Sequence, residues 1–169
     1  MGVKVSIKSK GEDLHSMVKR LQAVDGIGVE VGVLKGESKW LAGIHEYGLN
    51  IEVTEKMRKY LASQGLYLRK ETTHIHIPER SFLRSGFDKY QDDVAKKGQQ
   101  LLLQVADGKM SARGCMQALG MELASKIKDY AVELDSPANH PFTTDRKGSS
   151  KPLVDTGDMI GGITWRKAK

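Results

Sequence analysis

Two amphipathic segments in the middle of the chain constrain its fold most. Apolar residues recur every three or four positions from Phe87 to Ala106, which predicts a long helix. Asp107-Gly108 then breaks the pattern, and Ser111 can cap a second helix that continues to Leu134. The two apolar faces consist of Phe87, Tyr90, Val94, Leu101 and Val105 on the first helix, and Cys115, Leu119, Leu123, Ile127, Tyr130 and Leu134 on the second. This helix pair is predicted to organise the domain.

Short strands and short helices are predicted on either side of the pair. Apolar and polar residues alternate at 3–7, 27–33 and 73–77, as is typical of half-buried strands. Helical spacing appears at 11–24, within 35–50, and from Thr54 to a C-terminal cap at Gly65. A chain of 169 residues fits one domain. We therefore expect a single α+β domain over 1–169, with a small, mainly antiparallel sheet of short strands packed against two long helices, plus short helices.

The last third of the chain looks like an interaction surface. Prolines bracket a basic stretch at 137–152, and a glycine-rich apolar strand is predicted after it. A loop of this length usually has a use in a compact domain, so we expect it to be mobile and to bind a partner. The net charge is +6, and cations crowd the C-terminal quarter at Arg146, Lys147, Lys151, Arg166, Lys167 and Lys169. This face permits contact with nucleic acid or an acidic partner, and it also fits solvated residues that keep an oligomer soluble.

Several classes of protein are disfavoured by what the sequence lacks. No apolar run approaches the ~20 residues of a membrane span, and the N-terminus has no apolar core of signal-peptide length. Cys115 is the only cysteine, so no internal disulfide can form and a reducing cytoplasm is the default. Because Cys115 lies on the apolar stripe of its helix, we expect a buried, inert thiol.

Four short patterns imitate catalytic or ligand sites. Gly26–Gly32 lacks the third glycine of a dinucleotide fingerprint and continues into a strand. His45-Glu46 has no second histidine four residues after the first, so the helical zinc motif is incomplete. A metal site at His74 and His76 would need a third ligand from elsewhere, so these side chains are expected to be exposed or to pair across strands. Asp155-Thr156-Gly157 occurs once and is interpreted as a turn; a dimeric hydrolase built on Asp155 stays as an alternative. The sequence thus predicts no catalytic residue, metal or cofactor.

Three separated segments carry a resemblance to a known family. They are HEYG at 45–48, IPERSFLRSGFD at 77–88 and KPLVDTGDMIGGITW at 151–165. In this order they resemble the motifs of tailed-phage (prophage) virion morphogenesis proteins of the tail-completion, or head–tail joining (neck), family. The chain departs from that pattern at Ser81, Met159 and Gly162, where proline, leucine and serine are common. The segment 53–73 looks like an insertion relative to shorter relatives.

The resemblance implies a structural role and no enzymatic activity. Such a protein assembles with itself into a ring, commonly a hexamer, and with other neck or tail proteins. It would do so in the host bacterial cytoplasm and then stay in the virion, as a neck protein, tail terminator or assembly factor. No membrane partner is implied. The candidate subunit or partner interface residues are Arg80, Phe82, Arg84, Ile160, Ile163 and Trp165. The candidate lumen contacts to passing double-stranded DNA, made without sequence specificity, are Arg146, Lys147 and Lys151.

Two expectations remain open at this stage. Arg80 is expected to pair with Glu46 across the fold or to contact a neighbouring subunit. The alternative function is a small basic nucleic-acid-binding protein that uses the C-terminal loop and tail and binds as a monomer. Few aromatic residues are present, and no groove-reading helix or stacking platform is recognised, which disfavours this alternative.

Overall fold

A computed structural model describes residues 13–168. The elements in chain order are α1 (Leu14–Gln22), β1 (Val29–Val33), α2 (Ser38–Tyr47), β2 (Leu49–Glu52), α3 (Glu55–Ser63), β3 (His74–Ile77), α4 (Phe82–Ala106), α5 (Ala112–Glu133), α6 (Pro141–Lys147), α7 (Asp158–Gly161) and β4 (Ile163–Lys167). The α+β class is confirmed, with the described strands divided between two separate antiparallel sheets. The strand predicted at 3–7 lies outside the described residues.

The long helices α4 and α5 pack side by side at the centre, as predicted. Ser111 caps α5 by accepting a hydrogen bond from the Gly114 N–H at 3.0 Å. Helix α4 begins at Phe82, five residues before the predicted start at Phe87. Phe87 was predicted to lie on the apolar face of the helix, but it is 45% exposed. Phe82 and Gly86 occupy the core side of the first turns instead. A methyl group at Gly86 would lie 3.4 Å from Ile127, so α5 approaches α4 closely there.

The first sheet packs on α5 and covers one side of the main core. Strand β1 pairs antiparallel with β4, and Val31 lies opposite Trp165. The indole of Trp165 rests on α5 at Gly120, where an added Cβ would lie only 2.7 Å from the ring. Glycine is therefore required at this contact. The main core contains the buried side chains Val33, Ala42, Phe82, Leu123, Ile127, Ala131, Leu153, Met159, Ile160 and Ile163.

The second sheet belongs to a segment that we call the arm, residues 49–77. Strand β2, which sequence patterning did not predict, pairs antiparallel with β3, and no residue of α3 is buried. The predicted caps of α3 are confirmed: Thr54 accepts from the Met57 N–H at 3.2 Å, and the Leu66 N–H donates to the Leu61 carbonyl across Gly65 at 2.9 Å. The elements of the arm pack little on the rest of the domain.

The C-terminal third differs from the prediction in two places. The loop expected at 137–152 contains α6, whose first turn is capped by the His140 ring accepting from the Phe142 N–H at 3.2 Å. Its mobility stays a prediction. The expected closing strand begins only at Ile163, because Gly157 at φ 90° starts a turn that leads into α7. Across residues 13–168, no helix is at once long and apolar enough to cross a membrane.

Candidate functional site

The carboxylate of Glu46 holds the start of the longest helix. It lies on α2, is 2% exposed, and accepts hydrogen bonds from the Leu83 N–H at 2.8 Å and the Arg84 N–H at 3.1 Å. These N–H groups belong to the first turn of α4, whose own N-cap residue, Ser81, makes no capping hydrogen bond. A negative charge at a helix N-terminus is stabilised by the unpaired N–H groups and the helix dipole. Glu46 therefore acts as a remote cap for α4.

The partner of Glu46 is Arg84, so the predicted ion pair between Arg80 and Glu46 is wrong. Arg84 Nε lies 2.9 Å from Glu46 Oε1, and its Nη2 also donates to the Glu46 carbonyl at 2.8 Å and to Glu79 at 2.6 Å. The hydrogen bond with Glu46, followed by that with Glu79, raises the pKa of Arg84. Its guanidinium also lies 4.8 Å from the centre of the Tyr47 ring. Arg84 forms the solvent-facing side of the contact.

Arg80 points inward and binds neutral acceptors. It is 3% exposed, and its guanidinium donates to three acceptors in the segment before α6: the Pro137 carbonyl at 2.7 Å, the Ala138 carbonyl at 3.0 Å and Asn139 Oδ1 at 3.2 Å. Burial lowers its pKa. The Asn139 amide in turn donates to the Pro152 carbonyl at 3.4 Å. Arg80 thus ties the entrance of α4 to the C-terminal third.

Two further basic side chains complete this network. His45 Nδ1 lies 3.4 Å from Arg80 Nη1, and burial, with smaller effects of the Arg80 and Lys147 charges, lowers the pKa of His45 to about 4. Lys147 Nζ donates to the carbonyls of Lys151 at 3.2 Å and Pro152 at 3.0 Å, and burial lowers its pKa. We call the set His45, Glu46, Arg80, Arg84 and Lys147 the junction. His45 is neutral at pH 7, which limits the positive charge held there.

Most of the predicted interface residues lie in the interior. Arg80 belongs to the junction, and the three side chains of Phe82, Ile160 and Ile163 belong to the core. Arg84 and Trp165 are the two members with exposed area. The other four hold the chain together, and within this fold they offer almost no surface to a partner.

The three candidate DNA contacts already have partners within the chain. Arg146 donates to the Gln64 side chain at 2.9 Å, and Lys151 Nζ donates to the Glu133 carbonyl at 2.9 Å. Lys147 is partly buried and binds two carbonyls, as described above. Arg146 and Lys151 can still contribute to a positive field at the surface, whereas Lys147 has a structural role in the junction.

The remaining motif residues have local roles. Thr156 donates to Asp158 at 2.7 Å within the predicted turn, and His76 lies 2.7 Å from Asn50, its cross-strand neighbour. Cys115 is fully buried, and burial raises the pKa of its thiol. Within residues 13–168, no three His, Cys, Asp or Glu side chains are grouped so that they could hold a metal ion.

Two concave surfaces were not predicted from the sequence. The first, the Trp165 cleft, has a volume of about 490 Å³, and its lining residues are Ile27, Gly28, Val29, Arg113, Met116, Trp165, Arg166 and Lys167. The second, the acidic depression, has a volume of about 500 Å³ and lies between α2, α6 and the turn before α7. Its apolar lining includes Trp40, Leu41, Leu153 and Met159. Its charged lining consists of the carboxylates Glu37, Asp155 and Asp158 together with Lys147, and the neutral His45 lies beside them. Each surface is assembled from short segments that are distant from one another in sequence, so no local pattern identifies it.

The contacts of the junction connect α2, the start of α4 and the C-terminal third. Its charged groups bind backbone carbonyls, backbone N–H groups and one another. Every buried side-chain nitrogen and oxygen atom of the described residues, including those of the junction, has a hydrogen-bond partner. No family model matches this sequence, and neither curated proteins nor solved structures yield a match. Function is therefore inferred from the chain's own residues and geometry.

Proposed function

We propose that this protein is a structural component of a tailed phage or prophage that assembles into a ring at the head–tail junction or at the tail end. The observation that supports the proposal is the convergence of the three motif segments at the junction. Glu46 comes from the first segment, Arg80 and Arg84 come from the second, and Pro152 of the third is bound by Lys147. The residues that carry the resemblance thus stabilise the fold, as expected of a protein with a mechanical task.

The exposed aromatic side chains also favour an assembling protein. Trp40 is 71% exposed and Tyr47 is 69% exposed on α2, while Tyr60 and Tyr67 are exposed on the arm. Aromatic residues are enriched in protein interfaces because they bury a large area with few rotatable bonds. A contact between two different patches of the same chain generates a closed ring when the rotation between subunits returns to its start.

The partners in this proposal are other copies of the chain, other neck or tail proteins, and passing double-stranded DNA. DNA would be met without sequence specificity, through a positive field to which Arg146 and Lys151 contribute. Charge reversal at Arg146 and Lys151 tests this part, with Lys147 left unchanged because it binds two carbonyls in the junction. Unchanged particle assembly and unchanged DNA delivery would rule out a DNA-facing role for the two residues.

Molar mass in solution is the first test of the ring. Light scattering over a wide concentration range, with electron microscopy of the heaviest species, should show a concentration-dependent closed ring. Deletion of the gene in its phage or prophage should separate the roles: unjoined heads and tails indicate a neck protein, whereas tails of irregular length indicate a terminator. A strict monomer whose deletion leaves normal infectious particles would contradict the proposal.

One observation favours the alternative, a small nucleic-acid-binding protein. The Trp165 cleft combines an indole with Arg113 and Lys167, which have no carboxylate partner among residues 13–168. Aromatic rings can stack on bases while flanking cations contact phosphates. This alternative predicts a monomer that binds DNA with a steep salt dependence and quenching of tryptophan fluorescence. Binding that is unchanged in Trp165→Leu would exclude the cleft as the site.

A further inference from the structure

We propose that the acidic depression of one copy receives the segment 66–70 of the arm of a second copy, with Tyr67 as the anchor. The inference rests on the proposed self-assembly, and it identifies the two surfaces that would meet in each contact between copies. It also gives a role to the insertion-like segment 53–73, which none of the junction contacts uses. The kind of partner follows from the chemistry of the two surfaces.

The donor surface is an exposed loop of the arm, residues 66–70. Tyr67 is 80% exposed, and the two cationic side chains that follow it, Arg69 and Lys70, are exposed as well. The backbone beneath them is fixed by Arg58, which donates to the carbonyls of Leu68 at 3.2 Å, Arg69 at 2.8 Å and Thr72 at 2.8 Å. A loop that is already ordered loses less conformational entropy when it binds. The aromatic anchor is therefore displayed in a preorganised form.

The acceptor surface is mainly acidic and has an apolar floor. Lys147 also lines it, but its ammonium donates to the carbonyls of Lys151 and Pro152. Leu153 and Met159 are buried at the base of the depression, and Trp40 and Leu41 contribute exposed apolar area at its wall. The three carboxylates Glu37, Asp155 and Asp158 are exposed, and none lies within ion-pair distance of a cation in the described part of the chain, although the charge of Asp155 acts on Lys147 at longer range. Arg69 and Lys70 of the arm likewise have no ion-pair partner there.

The two surfaces are complementary in charge, and each offers an apolar contact. An aromatic side chain fills an apolar depression, and two adjacent cations meet the carboxylates that line it. Within one copy, none of the residues 66–70 lines the depression. The contact therefore joins two different surfaces on two copies, which is the head-to-tail geometry that a ring requires.

The test compares the assembly of matched variants by sedimentation velocity. Tyr67→Ala, and separately the pair Arg69→Glu with Lys70→Glu, should each raise the concentration at half-assembly at least tenfold. Adding Glu37→Lys and Asp158→Lys to the arm pair should restore much of the assembly, because two of the three carboxylates are then replaced by cations that attract the new glutamates. Lys96→Glu with Lys97→Glu, on an exposed part of α4, is the control and should assemble like the wild type. Circular dichroism and urea unfolding verify that each variant is folded.

A covalent trap provides a measurement that does not depend on charge. Arg69→Cys combined with Glu37→Cys should give a ladder of disulfide-linked species under mild oxidation, whereas Arg69→Cys alone should not. If the wild type assembles while the arm variants assemble equally well and no ladder forms, this inference is wrong and the proposed ring stands on other surfaces. If the wild type stays monomeric at every concentration, self-assembly itself fails and the inference fails with it.

Discussion

Two arginines in this protein bind carbonyl groups in the same way but at different depths. Arg80 is 3% exposed, and its bonds span 57 to 59 residues of the chain to the segment 137–139. Arg58 is partly exposed, and its bonds span only 10 to 14 residues within the arm. A contact between distant segments can form only when the whole domain is folded, whereas a contact within one short segment can open locally. We therefore expect the same chemistry to stabilise the whole domain in one place and a single loop in the other.

The substitution Arg80→Met should have the largest effect on global stability. Methionine keeps much of the apolar stem but leaves the Pro137 and Ala138 carbonyls without their donor. Hydrogen bonds to charged groups contribute about 1.5–3 kcal/mol each and are not additive, so a loss of about 3–4 kcal/mol is expected in the free energy of unfolding. Urea unfolding followed by circular dichroism measures it. A loss below about 1 kcal/mol would show that Arg80 does not tie the two segments together.

The remote cap predicts a somewhat smaller effect. Glu46→Ala removes the acceptor for the N–H groups of Leu83 and Arg84 and a buried charge near the helix N-terminus, so we expect a loss of about 2–3 kcal/mol. Glu79→Ala is the matched control, because Glu79 binds the same Arg84 from the surface. Exposed ion pairs contribute about 0–1 kcal/mol. Equal losses in the two variants would contradict the capping role of Glu46.

The sequence was sufficient for those parts of the fold that depend on local spacing. Helices α4 and α5 follow from their apolar periodicity, and the caps at Thr54, Gly65 and Ser111 follow from residue type. The start of α4 was missed because its cap, Glu46, lies on another helix and is distant in sequence. Strand β2 was missed although Leu49, Asn50, Ile51 and Glu52 alternate between apolar and polar, because the run is only four residues long and directly follows the helical spacing at 35–50.

The sequence motifs contain four of the five junction residues, but they did not predict the contacts that these residues make. His45, Glu46, Arg80 and Arg84 all belong to the motifs that were singled out. The pairing was wrong because Arg80 precedes α4 whereas Arg84 lies on its first turn, and only the second position reaches Glu46. That outcome depends on where the helix begins, which local spacing did not determine. The acidic depression could not be predicted because its lining residues meet only in the folded chain.

The junction should also make stability depend on pH. The pKa of His45 is lowered from 6.5 to about 4 in the folded state, so the unfolded state binds the proton more readily. The stability that comes from neutral His45 is complete above pH 6.5 and is lost as the pH falls toward 4. After allowance for the partial exposure of the ring, the loss is about 1–2 kcal/mol.

The variant His45→Asn keeps a polar group at this position but cannot titrate. Its free energy of unfolding should decline less between pH 6.5 and pH 4.5 than that of the wild type, because the carboxylates titrate alike in both proteins. Urea unfolding at several pH values provides the comparison. Parallel curves for the two proteins would mean that His45 is protonated equally easily in the folded and unfolded states.

The substitution Arg58→Met should have the smallest global effect and the most local one. Its three carbonyl partners lie within the arm and can bind water when the guanidinium is removed, so we expect a loss of about 1 kcal/mol or less in the free energy of unfolding. Hydrogen exchange should nevertheless become faster for the amides of 65–73, while the amides of α4 and α5 stay protected.

The variant Arg58→Met also tests whether the order of the arm loop matters for self-association. If the arm loop must be ordered to enter a second copy, Arg58→Met should weaken self-association even though the domain remains folded, because ordering the loop then opposes binding. Arg58→Lys is the control, since a single ammonium can replace only part of the fork and should give an intermediate effect. Faster exchange throughout α4 and α5 would show instead that the arm and the core unfold as one unit, and the distinction between Arg80 and Arg58 would disappear.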